Sequence, residues 1–156
     1  MAQAKRLGII AGHGTLDAAY PPLILATAAA ALDIEAAIFF TFYGLEIVKK
    51  DRADKLQVAP IGNPAMPVSV PNIVGMLPGM TAMATRMMNG WMEKANVAKV
   101  SELLDMAVMS DVRLIACQMT MDVMGIKRTD LIDTVEIGGA ATYLEFVGED
   151  GLALAF

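Results

Sequence analysis

The chain reads as an α/β protein: a single flavodoxin-like or Rossmann-like domain over residues 1–156, with a mostly parallel five-stranded sheet and helices on both faces. Three observations predict it. Short β-like runs, four clear ones and a possible fifth, alternate with helical or loop material along the chain, as expected of repeated βα units. The run Ile38-Phe39-Phe40 is continuously apolar, as in a strand covered on both faces. A length of 156 residues with 56% hydrophobic content suits one domain with one core.

The first strand is expected from Arg6 to Ala11, ending in Gly12-His13-Gly14. Asp17 is a candidate N-cap, and Pro21-Pro22 are tolerable only in a first helical turn, so a helix is expected from about there to Leu32. Between Leu23 and Leu32 its only polar side chain is Thr27, which predicts burial on both sides, by the sheet and by a neighbouring subunit. The second strand runs from Glu35 to Thr41, followed by a short helix from Tyr43 to about Lys49. From 51 to about 79 the chain is rich in Pro, Gly and Met and irregular, which suits a functional loop, a lid or an oligomer arm.

A helix resumes at Met80, with Met80, Met83, Met87 and Trp91 at helical spacing. Ser101 opens the next one, through Met109, with Leu104, Ala107 and Val108 on one side. The third strand, Val112 to Ala116, delivers Cys117 at its carboxyl end. Thr134 to Ile137 is a short strand before Gly138-Gly139, Ala140 to Val147 reads as a helix, and Leu152 to Phe156 closes the sheet.

Composition excludes several classes of function. A net charge of -5 with no Lys/Arg cluster beyond a pair argues against nucleic acid as a partner. The mean hydropathy of +0.52 is high, and Leu56 to Thr85 carries no charge. Pro60, Pro64, Pro67, Pro71 and Pro78 nevertheless break any spanning helix there, at roughly 3 kcal/mol apiece. Membrane contact is at most peripheral, and the start of the chain has no signal-peptide pattern. The apolar excess is therefore assigned to subunit contact in a homo-oligomer. One cysteine without an export signal fits a cytoplasmic, reducing setting.

That cysteine is the candidate site. In an open parallel sheet, chemistry gathers beyond the carboxyl ends of the strands, and Cys117 stands at such an end. A thiol acts as a nucleophile only when ionised, which requires a helix N-terminus or a nearby cation. Thr120 is a candidate cap for a helix beginning at Met121, and His13, the only histidine, is a candidate acid or base. A flavodoxin-like strand order would make the first and third strands neighbours and bring Gly12-His13-Gly14 to Cys117. Gly12, Gly14, Gln118 and Thr120 are the candidate substrate contacts. The bland readings stand beside these: a small buried core cysteine, a turn histidine, glycines that serve a tight turn, and methionines that fill the core or form an adaptable contact surface instead of binding copper. Glycine is missing where Asp17 stands, so a dinucleotide fingerprint fails.

The segment Leu114-Ile-Ala-Cys-Gln-Met-Thr-Met-Asp-Val-Met-Gly-Ile126 resembles the cysteine motif of the DsrE/DsrF/DsrH-like superfamily, in its peroxiredoxin-like branch. Ile38 to Leu45, Leu77 to Met88 and Gly138 to Leu144 resemble further segments of that family in order, so the resemblance covers nearly the whole chain. It implies an oligomeric α/β protein whose cysteine, matched here by Cys117, accepts sulfur as persulfide or thiosulfonate and passes it to a small carrier of the TusA type or another thiol partner. Some relatives carry a second cysteine upstream; Met106 to Ser110 has none, and the first loop also departs from the family's turn.

The expected function is thus that of a sulfur carrier or sulfurtransferase-like protein working through Cys117, with no metal and no cofactor. The rival is a non-catalytic binding or scaffold subunit of a sulfur-metabolism or membrane-associated complex, in which the thiol is buried and inert. A flavin or nucleotide protein on the same fold is a third reading.

Overall fold

A computed structural model describes residues 5–59 and 77–156. Five strands form one all-parallel sheet in the order β4-β3-β2-β1-β5. They are β1 (Arg6–Ala11), β2 (Glu35–Phe40), β3 (Arg113–Cys117), β4 (Glu136–Gly138) and β5 (Leu152–Ala155). The helices are α1 (Leu16–Ala31), α2 (Met80–Lys94), α3 (Val100–Met109), α4 (Gln118–Met124) and α5 (Ala140–Val147). A 3-10 segment, Phe42–Val48, stands where a short helix is expected, and a shorter one spans Ala53–Lys55.

The strand order fixes the layers. From β1 to β4 each crossover steps one way along the sheet, so right-handed connections place their helices on one face. The return from β4 to β5 goes back across the sheet, so α5 lies on the other. The period-2 alternation of the strands shows both sides. Ile9, Ile38, Phe40, Leu114 and Ala116 pack with Leu23 and Ala26 of α1 and Leu103 and Ala107 of α3. Ala37, Phe39, Ile115 and Cys117 pack instead with Tyr143, Phe146 and Val147 of α5.

Several expectations need correction. β1 and β3 are not neighbours, because β2 lies between them. Asp17 is not the N-cap of α1: Thr15 takes that place, and Pro21 and Pro22 lie inside the helix, past its first turn. Each proline removes one helical bond, yet Pro22 is buried against the sheet side, and that packing holds the helix. In the single chain the sheet covers one side of α1, while Ile24 and Leu25 and the following Leu32 are exposed on the side expected to meet a neighbouring subunit. The methionine helix α2 has no buried residue, and Met83, Met87 and Trp91 face outward. Much of the irregular stretch, residues 60–76, lies outside the described residues, and so do four of its five prolines with Pro60, Pro64, Pro67 and Pro71. Among the described residues, no helix is long and apolar enough to cross a membrane.

Candidate functional site

Cys117 is the last residue of β3 and the N-cap residue of α4. The helix therefore starts immediately after the thiol, at Gln118, and not at Met121. Thr120 sits inside its first turn, fully buried, where its side chain ties two elements together instead of capping.

The place is singled out by topology. After β3 the chain passes into α4 on the α1 side, and after the adjacent β4 it passes into α5 on the opposite side. Cys117 and Gly138 are register partners at the carboxyl ends of these two strands. Connections that part in opposite directions leave a crevice at strand ends, the usual ligand position in open α/β sheets.

Thr41, the residue after β2, is the other neighbour of the thiol. The pairing of Phe40 with Ala116 carries the next residues, Thr41 and Cys117, side by side. The Oγ1 atoms of Thr41 and Thr120 lie 3.1 Å apart, and Thr120 Oγ1 accepts a bond from the Phe42 amide at 3.2 Å. Phe42 is left-handed, with φ of 46°, an unusual conformation for a bulky residue and one that needs surrounding structure to hold it.

These groups set the chemistry of the thiol. Cys117 is 5% exposed. Burial pushes its pKa up, but the hydroxyl and amide of Thr120, the hydroxyl of Thr41 and the amide of Met119 outweigh that and bring it below the ordinary thiol range. The cysteine side chain closes no capping bond of normal length, so the amides act at longer range as aligned dipoles. The thiol is closely covered, yet its surroundings on the Thr41 and Thr120 side are polar. Around this edge Phe42, Tyr43, Met119 and Val123 are exposed and form an apolar rim.

The other candidate residues fall differently. His13 is exposed at the end of β1, with β2 between it and Cys117, so the two backbones stand about two strand spacings, roughly 10 Å, apart. Neither Gly12 nor Gly14 has a positive φ, so a tight-turn conformation is not what requires them. A Cβ on Gly14 would lie 2.1 Å from the Tyr43 carbonyl oxygen, and close packing of the first loop on the second explains that glycine. Gln118 is exposed beside the thiol, and its Nε2 donates to Asp122 at 2.8 Å, which turns this acid toward a partner of its own. Gly138 makes room for Ile115 and Thr142, whose atoms a Cβ would meet at 2.9 and 3.1 Å. Among the described residues, no group of three or more His, Cys, Asp or Glu side chains is placed to hold a metal ion.

Thr41 is the residue that sequence reasoning missed. Its signal was present only as the residue closing the apolar run of β2, and its pairing with Thr120 joins positions 79 residues apart.

Comparison with known proteins adds four findings. Residues 3–154 match the model of the DsrE/DsrF/DrsH-like family. The chain is 45% identical to a sulfur carrier protein DsrE2 from Allochromatium vinosum over 97% of this chain and 98% of that one. It is 33% identical to the uncharacterized protein YrkE of Bacillus subtilis, over 97% of each chain. The crystal structure of the ychN protein from E. coli superposes with a TM-score of 0.58 over 97% of this chain and 99% of that one, at 15% identity. At that identity the likeness is one of fold.

Proposed function

The chain belongs to the DsrE/DsrF/DrsH-like family, and from that premise we propose that it is a sulfur carrier whose Cys117 takes up sulfane sulfur and yields it to a partner thiol. In loading, the Cys117 thiolate attacks the outer sulfur of a persulfide donor R–S–SH. The Sγ–S bond forms, the donor's S–S bond breaks, and R–S⁻ leaves. In release, an acceptor thiolate attacks the outer sulfur of Cys117–S–SH, and Cys117 departs as thiolate. One sulfur atom moves in each step with no net oxidation, so one cysteine suffices.

One observation carries the reading. The only thiol of the chain stands at the carboxyl end of β3 beside the end of β4, where the connections part to opposite faces of the sheet, among hydroxyls and amides that favour its ionised form. The exposed apolar rim of Phe42, Tyr43, Met119 and Val123 supports a protein as the acceptor, a small carrier of the TusA type or another thiol protein. The outward Ile24 and Leu25 of α1, with Leu32 just after it, support assembly into a homo-oligomer. With its single thiol and no spanning helix among the described residues, the carrier is assigned to the cytoplasm. Gln118 and Thr120 are the substrate-side residues of this reading, and His13 with Gly12 and Gly14 lines the same sheet edge two strands away.

Intact-mass measurement after exposure to polysulfide is expected to show added sulfur on the wild type and none on Cys117→Ala. An absence of adduct on both would end the reading. The burial of Cys117 favours one second reading, a scaffold subunit with an inert thiol. Titration of the folded protein with a bulky thiol reagent separates the two, because a carrier must open to its acceptor.

A further inference from the structure

We propose that Thr41 and Thr120 act as a hydroxyl pair that positions Cys117 for sulfur transfer, always holding one O–H proton in hand for Sγ; the inference rests on the carrier reading above. The pair holds more protons than its own bonds use. A threonine hydroxyl has one proton to give and two lone pairs to receive with. Thr120 Oγ1 already accepts from the Phe42 amide at 3.2 Å and lies 3.1 Å from Thr41 Oγ1. If Thr41 donates to Thr120, both acceptor positions of Thr120 are filled and its own proton must leave the pair. If Thr120 donates to Thr41, the proton of Thr41 is left over. Either way one hydroxyl proton remains.

Among the described residues neither hydroxyl bonds to anything further. Thr120 is fully buried, where a spare donor needs an acceptor in the protein, and Thr41 is half-buried, so the first arrangement presses the proton on Sγ harder than the second. Cys117 Sγ closes no bond of normal length with either hydroxyl at rest, but Cys117 stands beside Thr41 across the β2–β3 ladder and three residues before Thr120, so its sulfur is the protein acceptor nearest to the pair in the fold. The charged groups on the surrounding elements are engaged elsewhere: Asp122 of α4 with Gln118, Glu136 of β4 with Arg113. Phe39 and Tyr143, which share the apolar cluster with the thiol, bring no charge from the α5 side. Both hydroxyls draw the thiol's pKa down against its burial.

The pair matters more for release than for loading. A lower thiol pKa enlarges the thiolate fraction but softens the nucleophile, whereas as a leaving group the same thiolate always departs faster.

The test is the thiolate absorbance of Cys117 followed against pH, with Cys117→Ala as baseline and no sulfur donor present. Thr41→Val and Thr120→Val together should raise the thiol pKa by about one unit, about tenfold in thiolate fraction below it. Each single variant keeps one donor and should move it by less than half as much. Serine at both positions should restore the wild-type value. In the loaded protein, the double valine variant should release sulfur more slowly while loading above its pKa stays equal or quickens up to about threefold. A folded double variant with an unmoved pKa, or two singles whose shifts simply add to the double, would overturn the pair. Should the double variant fail to fold, the wild type decides: a pKa at or above about 8.5 overturns the proposal, and one below supports it. Missing adducts with a shifted pKa would remove the relay and leave the pair standing; normal relay with an unmoved pKa would do the reverse.

Discussion

The two edges of the sheet handle polarity in opposite ways. At the amino edge Arg6 and Arg113 flank the Phe146 ring, with guanidinium carbons 5.8 and 5.4 Å from its centroid. Each arginine also holds a carboxylate, Arg6 Nε donating to Glu35 at 2.9 Å and Arg113 Nε to Glu136 at 3.0 Å. These charges are half in water, and a cleft of about 680 Å³ opens among them, lined by Arg6, Asp33, Glu35, Asp111, Arg113 and Phe146. At the carboxyl edge the hydroxyls beside Cys117 are neutral, Thr120 fully buried and Thr41 half-buried, and Phe42 is held in a left-handed conformation. The proposed chemistry therefore lies at the covered edge and not in this open cleft. Solvated, mutually paired charges have little left to offer a ligand, whereas buried neutral donors with one unpaired proton do.

The comparison breaks most sharply at Phe146. Its ring is buried under both arginines, so Phe146→Ala should cost about 3–4 kcal/mol in urea unfolding. The thiol pKa of the folded variant should stay at the wild-type value. A shift of that pKa would mean that the two edges are coupled through the sheet.

Next in size is Gly44, where the carboxyl edge is packed backbone on backbone. A Cβ there would lie 1.9 Å from the Ala11 carbonyl oxygen, whereas one on Gly139 meets nothing within 4 Å. Gly44→Ala should cost about 2–3 kcal/mol and Gly139→Ala well under 1 kcal/mol, read from denaturant midpoints. Equal effects would show that the β1 and β2 loops can separate freely.

The smallest expected effect sharpens the contrast in charge. Glu46, behind the carboxyl edge, is mostly buried, which raises its pKa, but bonds from Lys49 and the nearby Arg52 outweigh this and hold the carboxyl below its usual range. The folded state thus takes up this proton less readily than the unfolded chain. Its contribution is complete above the unfolded carboxylate value of about 4.3 and is lost as pH falls through the lower folded value. Glu46→Gln should therefore destabilise by up to about 1 kcal/mol at pH 7 and by nothing measurable once the wild type is acidified past that window. A pH-independent difference would mean that the side chain acts by packing alone.

Much of this architecture is legible along the chain. The continuous run of β2 and the strand leading to Cys117 are local patterns, and α5 falls on Ala140–Val147 as its sequence reads. Other features are not local. A helix start at Cys117 instead of Met121 depends on where β3 stops pairing, and the one-sided burial of α1 depends on what is packed against it. Thr41 closes an apolar strand and carries no mark of its own until Thr120 meets it.

By itself the sequence determined the class of fold, the number and kind of its strands, the family and the one sulfur atom worth following, because hydrophobic period, composition and a contiguous motif are properties of neighbouring residues. Only the tertiary structure decided that β2, not β1, stands beside β3, which takes His13 away from Cys117 and puts Thr41 there. Strand order is a choice among crossovers that bury nearly the same apolar faces, so it is settled by packing between distant segments, and the neighbours of the thiol are settled with it.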